Sequence, residues 1–191
     1  PADTQAFQIH LDAVEQRITP HTQAIIINSP NNPSGVVYTE ETLRGLAVLL
    51  ERKSAEYDHP IYIIADEPYR ELVYGDVTVP FIPCLYRNTI VCYSYSKSLS
   101  LPGERIGYVY VPGFADDSAA VYAAVSGAAR VMGHVCPPTL MQKVIQLCAG
   151  ERPDLAAYDE NRNLLYNSLR EMGYECAKPD GAFYLFVKAP N

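Results

Sequence analysis

Three short polar segments contain residue types that can carry chemistry. The first, residues 28–35, reads NSPNNPSG, the second, residues 66–69, reads DEPY, and the third, residues 94–98, reads SYSKS. Arg105 follows the third segment. A lysine can attack a carbonyl carbon, an aspartate can hold a cationic nitrogen, and an arginine can hold an anion. Together these residue types predict a polar site that binds a small ligand.

Each polar segment follows a short apolar run that is typical of a buried strand. The runs lie near residues 24–28, 61–65 and 89–93, and a fourth strand is predicted near 106–111. A helix pattern at about 40–56, with Thr39 as its N-cap, separates the first two runs. Strand, helix and strand in this order form a βαβ unit with a right-handed crossover.

The expected fold class is therefore α/β, with a mainly parallel sheet and flanking helices. In open α/β sheets, ligands bind beyond the carboxyl ends of the strands. We expect the polar side chains that follow the strands to converge there. They are Asn32, Asp66, Tyr69, Ser94, Ser96 and Lys97.

The second half of the sequence changes from strand to helix patterns. Helices are predicted near residues 115–133, 138–148 and 154–172, the last ending at Gly173, and strand character returns at 182–187. We expect residues 1–135 to form part of a large α/β domain. Residues 136–191 are expected to form linker helices and the start of a small α+β C-terminal domain. The chain opens on Pro1 and stops after a strand-like run, so we expect it to be part of a longer protein.

Composition and charge exclude several classes of partner. The net charge is -7 and the isoelectric point is near 5.0, which argues against nucleic-acid and anionic-membrane partners. No uncharged apolar stretch approaches the roughly 18 residues of a membrane span. The five cysteines include no C-x-x-C pair, and the four histidines have no metal-ligand spacing. We therefore expect reduced thiols in a cytoplasmic protein, with no metal site.

The residue types near the strand ends match the needs of pyridoxal 5'-phosphate (PLP). A PLP site requires a lysine for covalent attachment and a carboxylate that keeps the pyridine nitrogen protonated. It also requires donors to the ring hydroxyl, and cationic and hydroxyl contacts to the phosphate. All of these groups follow the predicted strands.

The polar segments resemble the signature blocks of class I/II aminotransferases, which have the aspartate aminotransferase fold, fold type I. The N-x-P-x-N-P, D-E-x-Y and S-x-S-K blocks occur in the family's order, and Arg105 lies eight residues after Lys97. Residues 181–184 also resemble a segment of the family's small domain. The resemblance implies that the α/β part is the large PLP-binding domain.

The resemblance also implies a role for each site residue. Lys97 would hold the cofactor and move a proton between substrate carbon and cofactor, while Asp66 would pair with the pyridinium nitrogen. Asn32 and Tyr69 would hydrogen-bond the ring's phenolic oxygen. The phosphate would be held by Ser94 and Arg105, with Ser96 as a further contact. A cis peptide is predicted at Asn32–Pro33, because the family folds this turn tightly.

The resemblance implies an aminotransferase that moves an amino group between an amino acid and a 2-oxo acid, as a homodimer in its full-length form. Alternatives are another fold type I enzyme, such as a C–S lyase or a decarboxylase-like branch, the aminotransferase-like sensing domain of a regulator, and an inactive fragment. The family's phosphate loop and ring-stacking aromatic residue have no candidate before Asn28. Its carboxylate-binding arginine is expected beyond Asn191.

Overall fold

One four-stranded sheet forms the centre of the computed structural model, which describes residues 6–189. Its strands are β1 (Ala24–Asn28), β2 (Tyr62–Asp66), β3 (Thr89–Ser94) and β4 (Gly107–Tyr110), in the order β1-β2-β3-β4. The pairs β1–β2 and β2–β3 are parallel, whereas β4 runs antiparallel to β3. The predicted α/β class with a mainly parallel sheet is therefore confirmed.

Helices flank this sheet, and three of them lie in the second half of the described residues. They are α1 (Leu11–Glu15), α2 (Glu40–Tyr57), α3 (Tyr95–Ser98), α4 (Ser118–Val131), α5 (Thr139–Leu147) and α6 (Leu155–Glu171), with a 3-10 turn at Ile82–Cys84. The four helices predicted from periodicity are confirmed to within a few residues. Helices α1 and α3 and the 3-10 turn were not predicted, because they are too short to show a helical period.

Helix α2 covers the sheet with one apolar face. Its Leu46 and Leu50 are fully buried, and the core that they join includes Ile61 and Ile63 of the β2 region. Burial of a leucine side chain contributes about 1.5–3 kcal/mol. The helix begins as predicted, because the Thr39 hydroxyl accepts a hydrogen bond from the Thr42 amide at 3.1 Å. This packing fixes the sheet edge from which the polar segments emerge.

The prediction of a strand at residues 182–187 is wrong. This segment forms only isolated bridges, between Val73 and Gly181 and between Cys176 and Val187. Ala182 adopts a positive φ of 56°, which interrupts extended backbone. Its amide donates to the Leu72 carbonyl at 2.8 Å. The apolar character that predicted a strand instead serves packing against the first half of the chain.

Two further observations concern membrane-spanning helices and cis peptide bonds. Among residues 6–189, no helix combines the length and apolar character needed to cross a membrane. The bonds Ser29–Pro30 and Asn32–Pro33 are both cis, so the prediction for Asn32–Pro33 is confirmed and the other cis bond is additional.

Candidate functional site

The strand register aligns the starting points of the first two polar segments, and the third begins two residues beyond the aligned position. Asn28, the last residue of β1, lies opposite Asp66, the last residue of β2, and Asp66 lies opposite Cys92 of β3. The three strands are parallel, so their carboxyl ends share one edge of the sheet. The segments that contain Asn32, Tyr69 and Lys97 all emerge at this edge.

Asn28 connects Asp66 with Asn32. Its side-chain amide donates to the Asp66 backbone oxygen at 2.8 Å and to Asp66 Oδ2 at 3.1 Å. Its Oδ1 accepts a hydrogen bond from the Asn32 backbone amide at 2.7 Å. Sequence reasoning did not single out Asn28 as a site residue. Its position at the end of an apolar strand and the start of the first polar segment was the available signal.

Asp66 places a partly buried carboxylate at the end of β2. Burial raises its pKa above the ordinary value of an aspartate, because the ionised form loses solvation. The ion pairs formed among residues 6–189 do not include Asp66. A carboxylate in this state is stabilised by a cationic ligand group, such as a protonated ring nitrogen.

Tyr69 is buried and connects Asn32 with the C-terminal part of the chain. Only 5% of its surface is exposed, and its hydroxyl lies 2.7 Å from that of Tyr184. Burial raises the pKa of Tyr69, the hydrogen bond with Tyr184 raises it further, and a hydrogen bond with the Asn32 side chain opposes this. The ring of Tyr69 makes edge contacts with Phe183 at 5.6 Å and with Tyr184 at 5.5 Å between ring centroids.

Lys97 lies on α3, the single turn of helix that follows β3. Its Nζ is 5.4 Å from the ring centroid of Phe183 and 6.0 Å from that of Tyr69. Within the described part of the chain, no carboxylate forms an ion pair with this amine. The amine thus lies beside the rings of Tyr69, which the sequence placed at the same site, and of Phe183, which it did not.

A hydroxyl network fixes the turn that presents Lys97. The next residue, Ser98, is buried, and its hydroxyl lies 2.8 Å from that of Tyr93. The Tyr93 hydroxyl in turn donates to Glu71 Oε2 at 2.8 Å. Because β3 carries Tyr93, this network couples the turn to the sheet.

Ser94 and Ser96 lie together at the start of the same turn. Ser94 caps α3, with its hydroxyl accepting from the Ser96 amide at 3.2 Å and donating to the Ser96 hydroxyl at 2.7 Å. Both hydroxyls are partly exposed and can turn toward an anion. The structure therefore brings these two predicted phosphate contacts together.

Arg105 differs from the other predicted residues in its immediate contacts. Its guanidinium is exposed and donates to the Pro102 carbonyl at 2.8 Å, and its backbone has a positive φ of 52°. It borders a cavity of about 470 Å³ that is also lined by Gly107 and residues 133–138. Ser94 pairs with Gly107 across the sheet, so Arg105 lies near the serine pair along the backbone but does not share a hydrogen bond with it.

Sequence comparisons identify relatives over nearly the whole chain. The family model described as aminotransferase class I and II matches residues 2–191. The aspartate aminotransferase of Geobacillus stearothermophilus is 32% identical over 96% of this chain. That of Thermotoga maritima is 35% identical over 95% of it. The chain covers 46% of each of these proteins, so it spans about half the length of the curated relatives it matches.

Solved structures give the same picture. The crystal structure of an amino transferase from Eubacterium rectale is 63% identical, with a TM-score of 0.96, over 99% of this chain and 48% of that one. The structure of the Thermotoga maritima aspartate aminotransferase is 32% identical, with a TM-score of 0.78, over 97% of this chain and 47% of that one. The arrangement of the sheet and helices is therefore that of the aspartate aminotransferase fold.

Proposed function

Because the chain belongs to the class I and II aminotransferase family, we propose that it carries the lysine part of a PLP-dependent transaminase site. Membership confirms the resemblance drawn from the sequence motifs. The proposed activity moves an amino group between an amino acid and a 2-oxo acid. One observation carries the proposal. Among residues 6–189, Lys97 forms no ion pair with a carboxylate and lies beside Tyr69, and Asp66 forms no ion pair with a basic group and lies at the end of the neighbouring strand.

The residues at the sheet edge fit the proposed cofactor. When bound, PLP supplies an aldehyde for covalent attachment and a ring that withdraws electron density. The Asp66 carboxylate, raised in pKa by burial, gains a cationic partner by holding the ring nitrogen in its protonated form. Asn32 and Tyr69 offer donors to the ring's phenolic oxygen. The phosphate would be held by Ser94, Ser96 and Arg105.

Lys97 would have two duties in this site. Its Nζ holds the cofactor covalently when no substrate is present, and as a free amine it then moves a proton to and from the substrate's α-carbon. The rings of Phe183 and Tyr69 lie 5.4 and 6.0 Å from this Nζ, measured to their centroids. The Tyr93–Ser98 hydrogen bond would hold the turn in place while the amine moves.

The alternative functions lack comparable support. Relatives of this chain include proteins named as aspartate, aromatic-amino-acid and probable aspartate/prephenate aminotransferases. We extend the proposal to amino-acid and 2-oxo-acid substrates for the full-length protein. An inactive fragment remains distinguishable from an enzyme by an amine-transfer assay.

The proposal includes the organisation and setting of the protein. We assign residues 1–135 to the large PLP-binding domain and residues 136–191 to linker helices and the start of the small domain. Five free cysteines favour a reducing compartment, so we propose a cytoplasmic location. We also propose a homodimer for the full-length protein. Large exposed apolar side chains on α4 and α5, such as Tyr122, Leu140 and Leu147, support a larger assembly around this chain.

The test of the proposed function is covalent trapping of PLP. The unchanged chain, Lys97→Ala and Lys143→Ala are titrated with PLP, reduced with borohydride and digested for peptide mass analysis. At high PLP concentration we expect a label on Lys97, its loss in Lys97→Ala and no change in Lys143→Ala, whose lysine is exposed on α5. Equal labelling of all three proteins would contradict Lys97 as the attachment point. An amine-transfer assay on the full-length protein then tests turnover.

A further inference from the structure

Residues 179–184, called here the C-terminal turn, bind directly to the two loops that form the site. The amides of Asp180 and Gly181 both donate to the Gly35 carbonyl, each at 2.8 Å. The Ala182 amide donates to the Leu72 carbonyl, also at 2.8 Å. Gly35 ends the first polar segment, and Leu72 follows the second. The C-terminal turn is therefore held by the same loops that present Asn32 and Tyr69.

Close backbone packing fixes this turn in position. A Cβ atom built on Gly35 would overlap Pro179 Cβ and lie 2.8 Å from the Tyr184 carbonyl oxygen. One built on Gly181 would lie 2.7 Å from the Leu72 carbonyl oxygen. Neither position has room for a side chain. The backbone of Tyr184 is thus placed by contacts on both sides of the turn.

This placement brings two phenol hydroxyls into contact. The oxygens of Tyr69 and Tyr184, 115 residues apart in the chain, are 2.7 Å apart. A phenol has a single proton to donate and can accept further hydrogen bonds. Burial raises the pKa of Tyr69, the hydrogen bond with Tyr184 raises it further, and the hydrogen bond with the Asn32 side chain lowers it. Either hydroxyl can be the donor in the pair, and when Tyr69 donates to Tyr184 its one proton is engaged there.

We propose that Tyr184 is a positioning residue that acts through Tyr69. Its hydroxyl holds the Tyr69 hydroxyl at the site and competes with a ligand's phenolic oxygen for the one proton that Tyr69 can donate. This inference rests on the proposed function, in which Tyr69 donates to the ring oxygen of the cofactor. The C-terminal turn thereby sets how strongly Tyr69 can polarise the bound ring.

The first test needs no cofactor. Tyr69→Phe, Tyr184→Phe and the double variant of the full chain are unfolded in urea beside the unchanged protein. Each single variant should raise the unfolding equilibrium constant about 3- to 10-fold, as for loss of one hydrogen bond. The double variant should be no less stable than the less stable of the two single variants, because both changes remove the same hydrogen bond. If the unfolding equilibrium constant of the double variant rises by the product of the two single-variant factors, the proposal is overturned. Tyr184→Leu removes the same hydroxyl if the phenylalanine variant does not fold.

The second test separates positioning from a merely structural role. The visible absorbance of protein-bound PLP is followed against pH, because a stronger hydrogen bond to the ring oxygen weakens proton binding at the attached nitrogen. Tyr184→Phe frees the Tyr69 proton, so the pH midpoint should fall by about 0.4–1 unit. The shift should vanish in the Tyr69→Phe background. Tyr158→Phe, which alters another ring of the same aromatic group, should leave the midpoint unchanged.

The outcomes distinguish this inference from the proposed function. A Tyr184→Phe shift that persists without the Tyr69 hydroxyl, or an equal shift in Tyr158→Phe, would overturn the positioning role. Failure of the unchanged protein to bind PLP would instead contradict the proposed function, and the urea cycle would then decide whether Tyr184 and Tyr69 act as a pair.

Discussion

The side-chain amide of Asn28 donates to Asp66 twice, to the backbone oxygen at 2.8 Å and to the carboxylate Oδ2 at 3.1 Å. Its carbonyl oxygen accepts from the Asn32 amide at 2.7 Å. A single side chain thus holds the carboxylate at the end of β2 and the turn that follows β1. This arrangement makes the geometry of two proposed cofactor contacts depend on a residue that need not touch the cofactor.

We predict that Asn28→Ala weakens both the fold and PLP binding. Loss of hydrogen bonds that include one to a carboxylate should lower the free energy of unfolding by about 1.5–3 kcal/mol. The PLP dissociation constant should rise about tenfold or more, because Asp66 and Asn32 lose their common support. Urea unfolding and a spectroscopic PLP titration measure the two effects.

Asn88→Ala is the matched control for this variant. Asn88 also makes paired hydrogen bonds to an aspartate, donating to Asp116 Oδ2 and accepting from the Asp116 amide, both at 2.9 Å. Asn88 lies just before β3, away from the strand ends that form the site. The Asn88→Ala variant should therefore lose stability without losing PLP affinity. Equal PLP affinities for Asn28→Ala and Asn88→Ala would count against a role for Asn28 in the site.

We predict a pH-dependent gain of stability in Asp66→Asn. Burial raises the folded-state pKa of Asp66 above its ordinary value of 3.8, so the ionised carboxylate disfavours the folded cofactor-free protein. The variant should be more stable than the unchanged protein at about pH 7, and the gain should shrink as pH falls toward the unfolded-state pKa. Urea unfolding across this pH range measures the difference. Asp76→Asn, at an exposed position, should show no such trend. If the stability gain of Asp66→Asn grows toward acid pH instead, the predicted direction of the pKa effect is wrong.

Much of the sheet could be predicted from the sequence, because its strands are short apolar runs that contrast with their polar flanks. The ends of β2 and β3 then pointed to Asp66 and Lys97. Helix α3 could not be predicted, since one turn has no period to read. The segment after residue 181 was misread because Ala182 and its neighbours are apolar for a different reason, namely contact with Leu72 and Tyr69.

The parts of the site that sequence reasoning missed depend on contacts between distant residues. Tyr184 meets Tyr69 across 115 residues, and Phe183 reaches Lys97 from the same turn. Nothing in the residue type of either aromatic side chain indicates such a partner, because tyrosine and phenylalanine most often serve packing. Asn28 was missed for a related reason, since its hydrogen bonds to Asp66 follow from the register of β1 against β2.

We predict that Arg70→Met destabilises the protein more strongly at neutral than at acid pH. Arg70 donates to Oε2 of Glu67, a residue that is 2% exposed, at 2.8 Å, and its guanidinium also donates to the Val79 and Pro80 carbonyls. Burial raises the pKa of Glu67 and Arg70 lowers it. Without Arg70 the buried charge is unpaired, which should cost about 3–5 kcal/mol at neutral pH. Protonation of Glu67 at lower pH should relieve part of this loss.

Two variants make the Arg70 experiment specific. Glu67→Gln in the Arg70→Met background removes the unpaired charge and should recover part of the lost stability at neutral pH. Arg44→Met breaks an exposed ion pair with Glu40, whose two side chains are 61% and 57% exposed, and should cost no more than about 1 kcal/mol. Unfolding in urea at two pH values compares them. A loss in Arg70→Met that does not depend on pH would contradict a cause in the charge of Glu67.

The last prediction compares alanine substitutions at Gly35 and Gly75. Both residues have positive φ, 72° and 61°, so a Cβ atom strains either backbone by about 1–2 kcal/mol. A Cβ on Gly75 meets nothing within 4 Å, whereas one on Gly35 meets Pro179 and the Tyr184 carbonyl. We therefore expect Gly75→Ala to lose only the strain energy. Gly35→Ala should lose more and should also displace the C-terminal turn from the Tyr69 hydroxyl. Urea unfolding measures the first effect, and the pH midpoint of bound PLP absorbance measures the second. Equal losses of stability in the two variants would mean that the C-terminal turn moves away from the new Cβ atom at little cost. Close packing at Gly35 would then not fix the position of Tyr184.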